Sequence, residues 1–418
     1  MAERVVEIDI ELDGAMVPVG TMRCVPSRAR ETVVFEYSDD WLNRPERFAI
    51  DQGVPLSPGP FVPSGNGEMF PALGDSAPDN WGRALMRRRE RRRAAREERV
   101  VRTLFETDYL MGVSDVSRIG ALRLRWRGDA DYAAPIQDGV PGYVALQRLL
   151  DAVGRFEAGE ERDEDLDLIF APGASLGGAR PKCSVYDVQG KLSIAKFPKA
   201  DDDYSKERWE EVAARLADRA GLTMADHSLA NIGDQPVYLS ARFDRRAAGE
   251  RIPYMSAMTM TQNRDGVSGS YLEIVDAITR TGSQAARDRE ELYRRLVFTV
   301  LVSNTDDHMR NHGFLWDGPA GWRLSPAFDI NPTSQLEKPR VLQTRIDFDD
   351  GTCDIDLVLA VAPEFGLRTQ HARGIVTEVA RATATWREVA HQVGAPAREL
   401  DYLESAFEHD DLEKALTL

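Results

Sequence analysis

SNTDDHMRN, Ser303 to Asn311, followed after a short connection by SPAFDIN, Ser325 to Asn331, is the pair of segments from which the rest of the chain is read. Asp306 offers a carboxylate that can orient or deprotonate a hydroxyl nucleophile. Asn311, five residues later, offers a neutral oxygen to a hard cation, and Asp329, between Phe328 and Ile330, adds an anchored carboxylate. Magnesium takes oxygen ligands and keeps part of its water shell, which this Asn/Asp combination accommodates. The spacing points to phosphoryl transfer. His308 and His312 form an i,i+4 pair that would suit zinc on a helix, but no clear third soft ligand accompanies them. His308 is read instead as a brace of the loop, a neutral imidazole with one donor and one acceptor. Asp307 is read as capping a turn rather than binding metal.

Two upstream segments extend that chemistry. In LSIAKFP, Lys196 stands among apolar neighbours that would fix its ammonium over a cleft, within reach of triphosphate oxygens; the alternative is an edge lysine reaching out to water. Glu210, on the following amphipathic stretch, could pair with Lys196 as a strand lysine is paired in protein kinases, or it and Glu211 could be solvated. GASLGGARPKCSV, Gly173 to Val185, holds closely spaced glycines whose backbone N–H groups can turn inward on an anion, with Arg180 and Lys182 adding positive charge. Such a segment is as often a structural turn, and it is neither a Walker A motif nor GxGxxG. No GxSxG or evident Cys/His pairing speaks for hydrolase chemistry.

The 418 residues carry 53 Lys+Arg and 69 Asp+Glu, a net charge of −16, and are 42% hydrophobic, which excludes a disordered chain or one stapled miniature domain. Net acidity argues mildly against attraction of the whole surface to a polyanion. Cys24, Cys183 and Cys353 lie far apart and are odd in number, so a reducing, cytoplasmic setting is expected rather than a disulfide scaffold. The N-terminal stretch has no apolar signal core and no later run suits a membrane span.

Along the chain, VVEIDIEL, MRCVP and TVVFEY alternate as strands and suggest a separate β-rich lobe over residues 1 to about 55. A helical stretch follows with ten arginines between Arg83 and Arg102, interleaved with Glu90, Glu97 and Glu98. It is read first as a solvated, salt-bridged face, with a partner protein or nucleic acid as alternatives. ALRLRW (121–126) reads as a strand, PGYVALQRLLDAVGRFEAG (141–159) as a helix, and the acidic run Glu157–Asp167 as a solvated loop or a repulsive element. Gly190 marks a hairpin turn between SVYDVQG and KLSIAKFP. Residues 206–220 have helical periodicity stopped by Gly221, and a strand is expected near VYLSARFD. The rest is mainly helical, including 288–304 and 371–393, and the terminal AFEHDDLEKALTL either docks or frays.

Taken in order, VGTMRC, FEYSDDWL, GDSAPDNWGR, YLMGVSDVSRIGALRL, GASLGGARPK, IAKFP, ARFDR, NTDDHMRN and SPAFDI make the chain similar to the HipA family of serine/threonine-protein kinases, the toxins of bacterial type II toxin–antitoxin systems. The resemblance spans nearly the whole length. It implies an α+β, protein-kinase-like two-lobed fold with an additional β-rich N-terminal subdomain and a largely helical C-terminal lobe, divided as 1–125, 126–245 and 246–418. It implies ATP and Mg²⁺ as cofactors, Asp306 as the catalytic aspartate, Asn311 and Asp329 as magnesium ligands, and Lys196 on the ATP phosphates. The ATP-binding set further includes Glu210, His308 and the loop residues Ser175, Leu176, Gly177, Gly178, Ala179, Arg180 and Lys182. Ser175 matches a serine that is autophosphorylated in the family with ejection of the loop. Phosphate adds about two negative charges and would oppose a conformation that clasps another phosphate. A translation factor such as an aminoacyl-tRNA synthetase is the implied protein substrate, a small helix-turn-helix antitoxin the implied partner, and operator DNA is reached through that antitoxin complex. The alternative is a catalytically weak kinase-fold protein acting as antitoxin partner and corepressor. Two departures stand out: Arg180 and Pro181 occupy the end of the glycine loop, and Asp307 stands where glycine often precedes the histidine.

Overall fold

Alternation in the first strand decides the N-terminal sheet: Val6, Ile8 and Ile10 are fully buried on one face of β1, Arg4–Leu12. In the computed structural model, which describes residues 3–27, 30–64, 67–134, 139–173, 180–264 and 266–418, β1 pairs antiparallel with β2, Ala15–Pro26, and β2 with β3, Glu31–Tyr37. The other edge of β1 is taken by β4, Leu122–Trp126, giving the order β3-β2-β1-β4. The sheet is therefore not confined to the first 55 residues, because a strand from beyond residue 120 closes it.

The chain forms two compact units, residues 1–201 with 241–255, and residues 202–240 with 256–418. In the first, the arginine-rich segment is a helix, Asn80–Arg96, whose Asp79 cap accepts the Gly82 N–H at 2.8 Å. Trp81, Leu85, Met86 and Ala94 are buried along it. Its arginines are largely engaged with carboxylates: Arg83 with Glu106, Arg88 and Arg92 with Glu161, Arg92 and Arg96 with Asp163, and Arg93 with Glu97. The salt-bridged reading of this face is the one the structure shows. Part of the acidic run is also helix, Asp163–Gly173, in whose first turn the half-exposed Asp163 and the buried Asp165 meet arginine partners.

The same unit carries a buried ionic cluster. Asp244 is fully buried and accepts from Arg242 Nε at 2.7 Å, Arg242 Nη2 at 2.5 Å, Arg245 Nη1 at 2.7 Å and Gly120 N at 2.6 Å. Asp115 accepts from Arg123 Nη2 at 2.6 Å and Arg251 Nη2 at 2.8 Å. Arg118, also fully buried, donates to the carbonyls of Leu110 at 2.8 Å and Val113 at 3.0 Å, and burial pushes its guanidinium down to about 10. The unit ends in the hairpin of β5, Lys182–Tyr186, and β6, Leu192–Lys196. Its turn is held by Asp187, whose carboxylate accepts the N–H groups of Gln189 and Lys191, and by Gly190 at φ +76°.

In the second unit the expected helix is Lys206–Arg219, capped by Ser205 and closed by Gly221 at φ +76°. It precedes the hairpin of β7, His227–Ile232, and β8, Gln235–Ala241. The central element is the helix Ala285–Leu301, in which Leu292, Tyr293, Leu296, Val297, Phe298, Val300 and Leu301 are fully buried. Residues 371–393 are two helices, Thr369–Thr383 and Trp386–Val393, because the chain turns at Ala384 and Thr385. The terminal segment docks: Leu412 and Ala415 of the helix Asp410–Leu416 are buried, and Asp411 takes Arg340 Nη1 at 2.5 Å.

Candidate active site

The loop 303–312 begins where the helix Ala285–Leu301 stops, and its first bend is at Ser303, buried with φ +53°. A left-handed serine persists only where its surroundings over-determine it. Here Ser303 Oγ donates to Ala406 O at 2.8 Å and accepts from Arg340 Nε at 2.9 Å. The loop is tied to the segment after Asp329 at two points: Asn331 N donates to Asn304 Oδ1 at 3.2 Å, and Thr333 N to Ser303 O at 3.1 Å.

Asp306 is exposed, its side chain 61% accessible, and its Oδ1 accepts from Gln343 Nε2 at 2.7 Å with Lys338 Nζ at 3.6 Å. One carboxylate oxygen is thus held while the group as a whole stays open to an incoming hydroxyl. Asn311 is buried in a short 3₁₀ turn, Met309–Asn311, its N–H donating to His308 O at 2.8 Å and its Nδ2 to Asp306 O at 3.4 Å. Asp329 has φ +60°, again a conformation that non-glycine residues seldom adopt, and its Oδ1 accepts from Asn331 Nδ2 at 3.1 Å. The stretch leading into it is fixed by Ala327, which exchanges backbone hydrogen bonds with Thr223 and Ala225.

Glu210 is buried on the helix Lys206–Arg219. Tyr238 of β8 is held far above the usual phenol range by burial first, and then by the negative charges of Glu210, Glu211, Asp329 and Asp218. His227 lies between Glu211 at 2.8 Å and Asp218 at 3.0 Å; burial opposes its protonation, but the two carboxylates outweigh it and raise its pKa. His308 is half-buried, and its Nδ1 has no hydrogen-bond partner among the described residues.

In the other unit, Lys196 is half-buried at the end of β6, opposite Lys182 of β5. Lys182 is buried and its Nζ is 2.9 Å from Asp79 Oδ2, the same carboxylate that caps the arginine helix. Burial raises the pKa of Asp79 although Lys182 and the helix N–H groups work against it. Arg180 is half-buried. Ser175, Leu176, Gly177, Gly178 and Ala179 lie outside the described residues. Among the described residues, no cluster of three His, Cys, Asp or Glu could hold a metal, and no helix is long and apolar enough to cross a membrane.

The sequence reading did not reach Gln343, Asn331, Asn304 or Tyr271. Asn331 and Asn304 lie inside the two segments around Asp306 and Asp329, where an amide beside each functional acid was the available signal. Gln343 had none, since it sits in an irregular stretch without periodicity.

Comparison with curated protein sequences gives no match. Among solved structures, the chain is similar to HipA in the Shewanella oneidensis MR-1 toxin–antitoxin complex of HipA, HipB and operator DNA, with 17% identity, TM-score 0.64, and coverage of 99% of this chain and 96% of that one. The Helicobacter pylori proinflammatory kinase CtkA also matches, at 16% identity and TM-score 0.39, over 58% of this chain and 93% of that one. The HipA-like C-terminal domain model matches residues 174–386 and the HipA N-terminal domain model residues 13–107. Joined to an α+β fold shared with a HipA toxin along nearly its whole length, these matches mean that the chain belongs to the HipA family.

Proposed function

We propose that this protein is a Mg–ATP-dependent serine/threonine-protein kinase of a toxin–antitoxin system. The observation that carries the reading is the pairing of an exposed Asp306, steadied through one oxygen by Gln343, with a loop bolted to the left-handed Asp329 turn. The donor types fit magnesium: Asn311 can offer its amide oxygen and Asp329 its carboxylate, which Asn331 steadies. When bound there, Mg²⁺ would neutralise charge on the phosphates. Lys196 would contact phosphate oxygens, with Glu210 as its companion, and His308 would brace the loop.

Asp306 aligns a serine or threonine hydroxyl in line with the γ-phosphorus of ATP and takes up its proton. The hydroxyl oxygen bonds to that phosphorus as the bond to the β–γ bridging oxygen breaks, and ADP leaves with the electron pair. Ser175 is the proposed internal acceptor. Intact mass and phosphosite occupancy after incubation with Mg–ATP, beside an Asp306→Asn control, test this: transfer should fall by at least about 100-fold in the variant while nucleotide binding persists. Unchanged transfer refutes the role of Asp306. Asp329→Ala should chiefly weaken magnesium-dependent ATP binding.

The Shewanella HipA stands in a toxin–antitoxin complex with HipB and operator DNA. We extend both kinds of companion to this chain, a small helix-turn-helix antitoxin and DNA reached through it, because the arginines of the helix Asn80–Arg96 are largely engaged by Glu and Asp of the same unit. DNA binding with and without the coexpressed antitoxin checks it. A translation factor such as an aminoacyl-tRNA synthetase is the proposed protein substrate, in the cytoplasm.

A further inference from the structure

We infer that Asp307 is a positioning residue, which with Tyr271, His312 and the stretch 343–345 holds Asp306 in a single pose; the inference rests on the kinase reading above. Two successive acids have opposite surroundings here, since Asp306 is exposed and Asp307 is buried. Asp307 Oδ2 accepts the Tyr271 hydroxyl at 2.7 Å, and His312 Nε2 lies 3.1 Å from Oδ1. The Tyr271 ring meets the His312 imidazole edge to face at 5.2 Å. Burial and the Asp307 charge hold the Tyr271 phenol far above its usual range, so it remains a donor.

The backbone completes a closed circuit. Asp307 O accepts Thr344 N at 2.8 Å, and Arg345 O accepts Tyr271 N at 2.8 Å. Gln343, the residue before Thr344, is the one that grips Asp306 Oδ1 at 2.7 Å. Tyr271 therefore holds Asp307 directly through its hydroxyl, and it holds residue 345, whose neighbours hold the Asp307 carbonyl and the Asp306 carboxylate. A buried carboxylate must keep its partners, because stripping them leaves an unsolvated charge. Shifting the Asp306 backbone turns the peptide that joins it to Asp307 and breaks those buried bonds, while the Gln343 contact fixes the direction of the Asp306 carboxylate. None of Tyr271, Asp307 and His312 need touch a reacting atom to set the rate.

Tyr271→Phe in the full chain removes one hydroxyl and leaves the ring packing. Expected are a roughly tenfold fall in kcat, a KM for Mg–ATP within about twofold of the parent, and about tenfold faster amide exchange over 304–312, with exchange in the helix Ala285–Leu301 unchanged. A kcat that does not fall, or exchange that rises equally in loop and helix, overturns the inference and leaves a merely structural tyrosine. Asp307→Asn, which still accepts the Tyr271 hydroxyl, should lose less than Asp307→Ala, and equal losses count against it. If the parent protein itself transfers no phosphate, the kinase reading falls. The exchange arm then decides the positioning claim alone, and unchanged loop exchange in Tyr271→Phe refutes it.

Discussion

Asp244→Asn isolates the charge at the centre of the buried ionic cluster while keeping the side chain's shape. Asp244 receives both Arg242 and Arg245, and neither guanidinium has much access to water. Burial alone would raise its pKa, but Arg242 and Arg245 reverse that and hold the carboxyl well below the usual carboxylate range. Breaking a buried pair by neutralising one partner leaves an uncompensated charge, at a cost of about 3–5 kcal/mol. At ~2–4 °C per kcal/mol for a unit of this size, the melting temperature should drop by about 6–20 °C. The assay is thermal unfolding followed by amide exchange, with the loss confined to β1–β4 and absent from the helix Ala285–Leu301. The sign with pH follows from the depressed pKa: the contribution of Asp244 is complete above about pH 4 and is lost only as pH falls through its lowered folded value. A destabilisation below about 1 kcal/mol, or one equal in both units, would refute the argument.

Gln343→Met keeps the length of the side chain and removes the donor that steadies Asp306. The bond is exposed, so it should cost ~0.5–1 kcal/mol, about a two- to fivefold loss of kcat with little change in melting temperature, read by phosphoryl-transfer kinetics. His409 is fixed as a neutral ring, with Nδ1 accepting Leu412 N at 3.3 Å and Nε2 facing Leu301 O at 3.2 Å. Burial first, then the nearby Arg340, lower its pKa to about 4, with Asp411 opposing them. Its proton is bound more readily by the unfolded chain, so stability is full above about pH 6.5 and declines by roughly 2–3 kcal/mol toward pH 4. His409→Gln should flatten that decline in urea unfolding curves, and an identical slope in the variant counts against the assignment.

What the sequence made legible was local. The alternation in VVEIDIEL and the turn marked by Gly190 produce strands and a hairpin because neighbours in the chain decide them. The helix Lys206–Arg219 was legible for the same reason, from its periodicity to Gly221, while its Ser205 cap emerged from the structure. The arginine run was legible in kind but not in partner: Arg92 meets Glu161 and Asp163 across 69 and 71 residues. In the acidic run Glu157, Glu160, Glu164 and Asp167 are exposed, while Glu161 and Asp165 are buried against arginines. ARFDR and SDVSRIGALRL stand out as segments, yet only folding brings Arg242 and Asp244 onto Gly120 and Ser117. In the site, Asp306 and Asp329 stood out by residue type, whereas Gln343 acts through a long-range bond that leaves no pattern. Asp307 looked like a turn cap, and its carboxylate is instead a buried acceptor for Tyr271, because the residue that fills its pocket is 36 positions upstream.

The brace behind Ser303 sets an order of events during synthesis. Ser303 Oγ waits for the carbonyl of Ala406, 103 positions further along, and Arg340, which also grips Ser303, waits for Asp411. At about 5–20 residues per second, the ribosome delivers that brace some 5–20 s after the loop itself. Until then the left-handed bend before Asp306 lacks the Ala406 bond that holds it. A nascent chain that has not yet reached Ala406 would carry Asp306, Asn311 and Asp329 and still lack the bond that fixes the first bend of their loop.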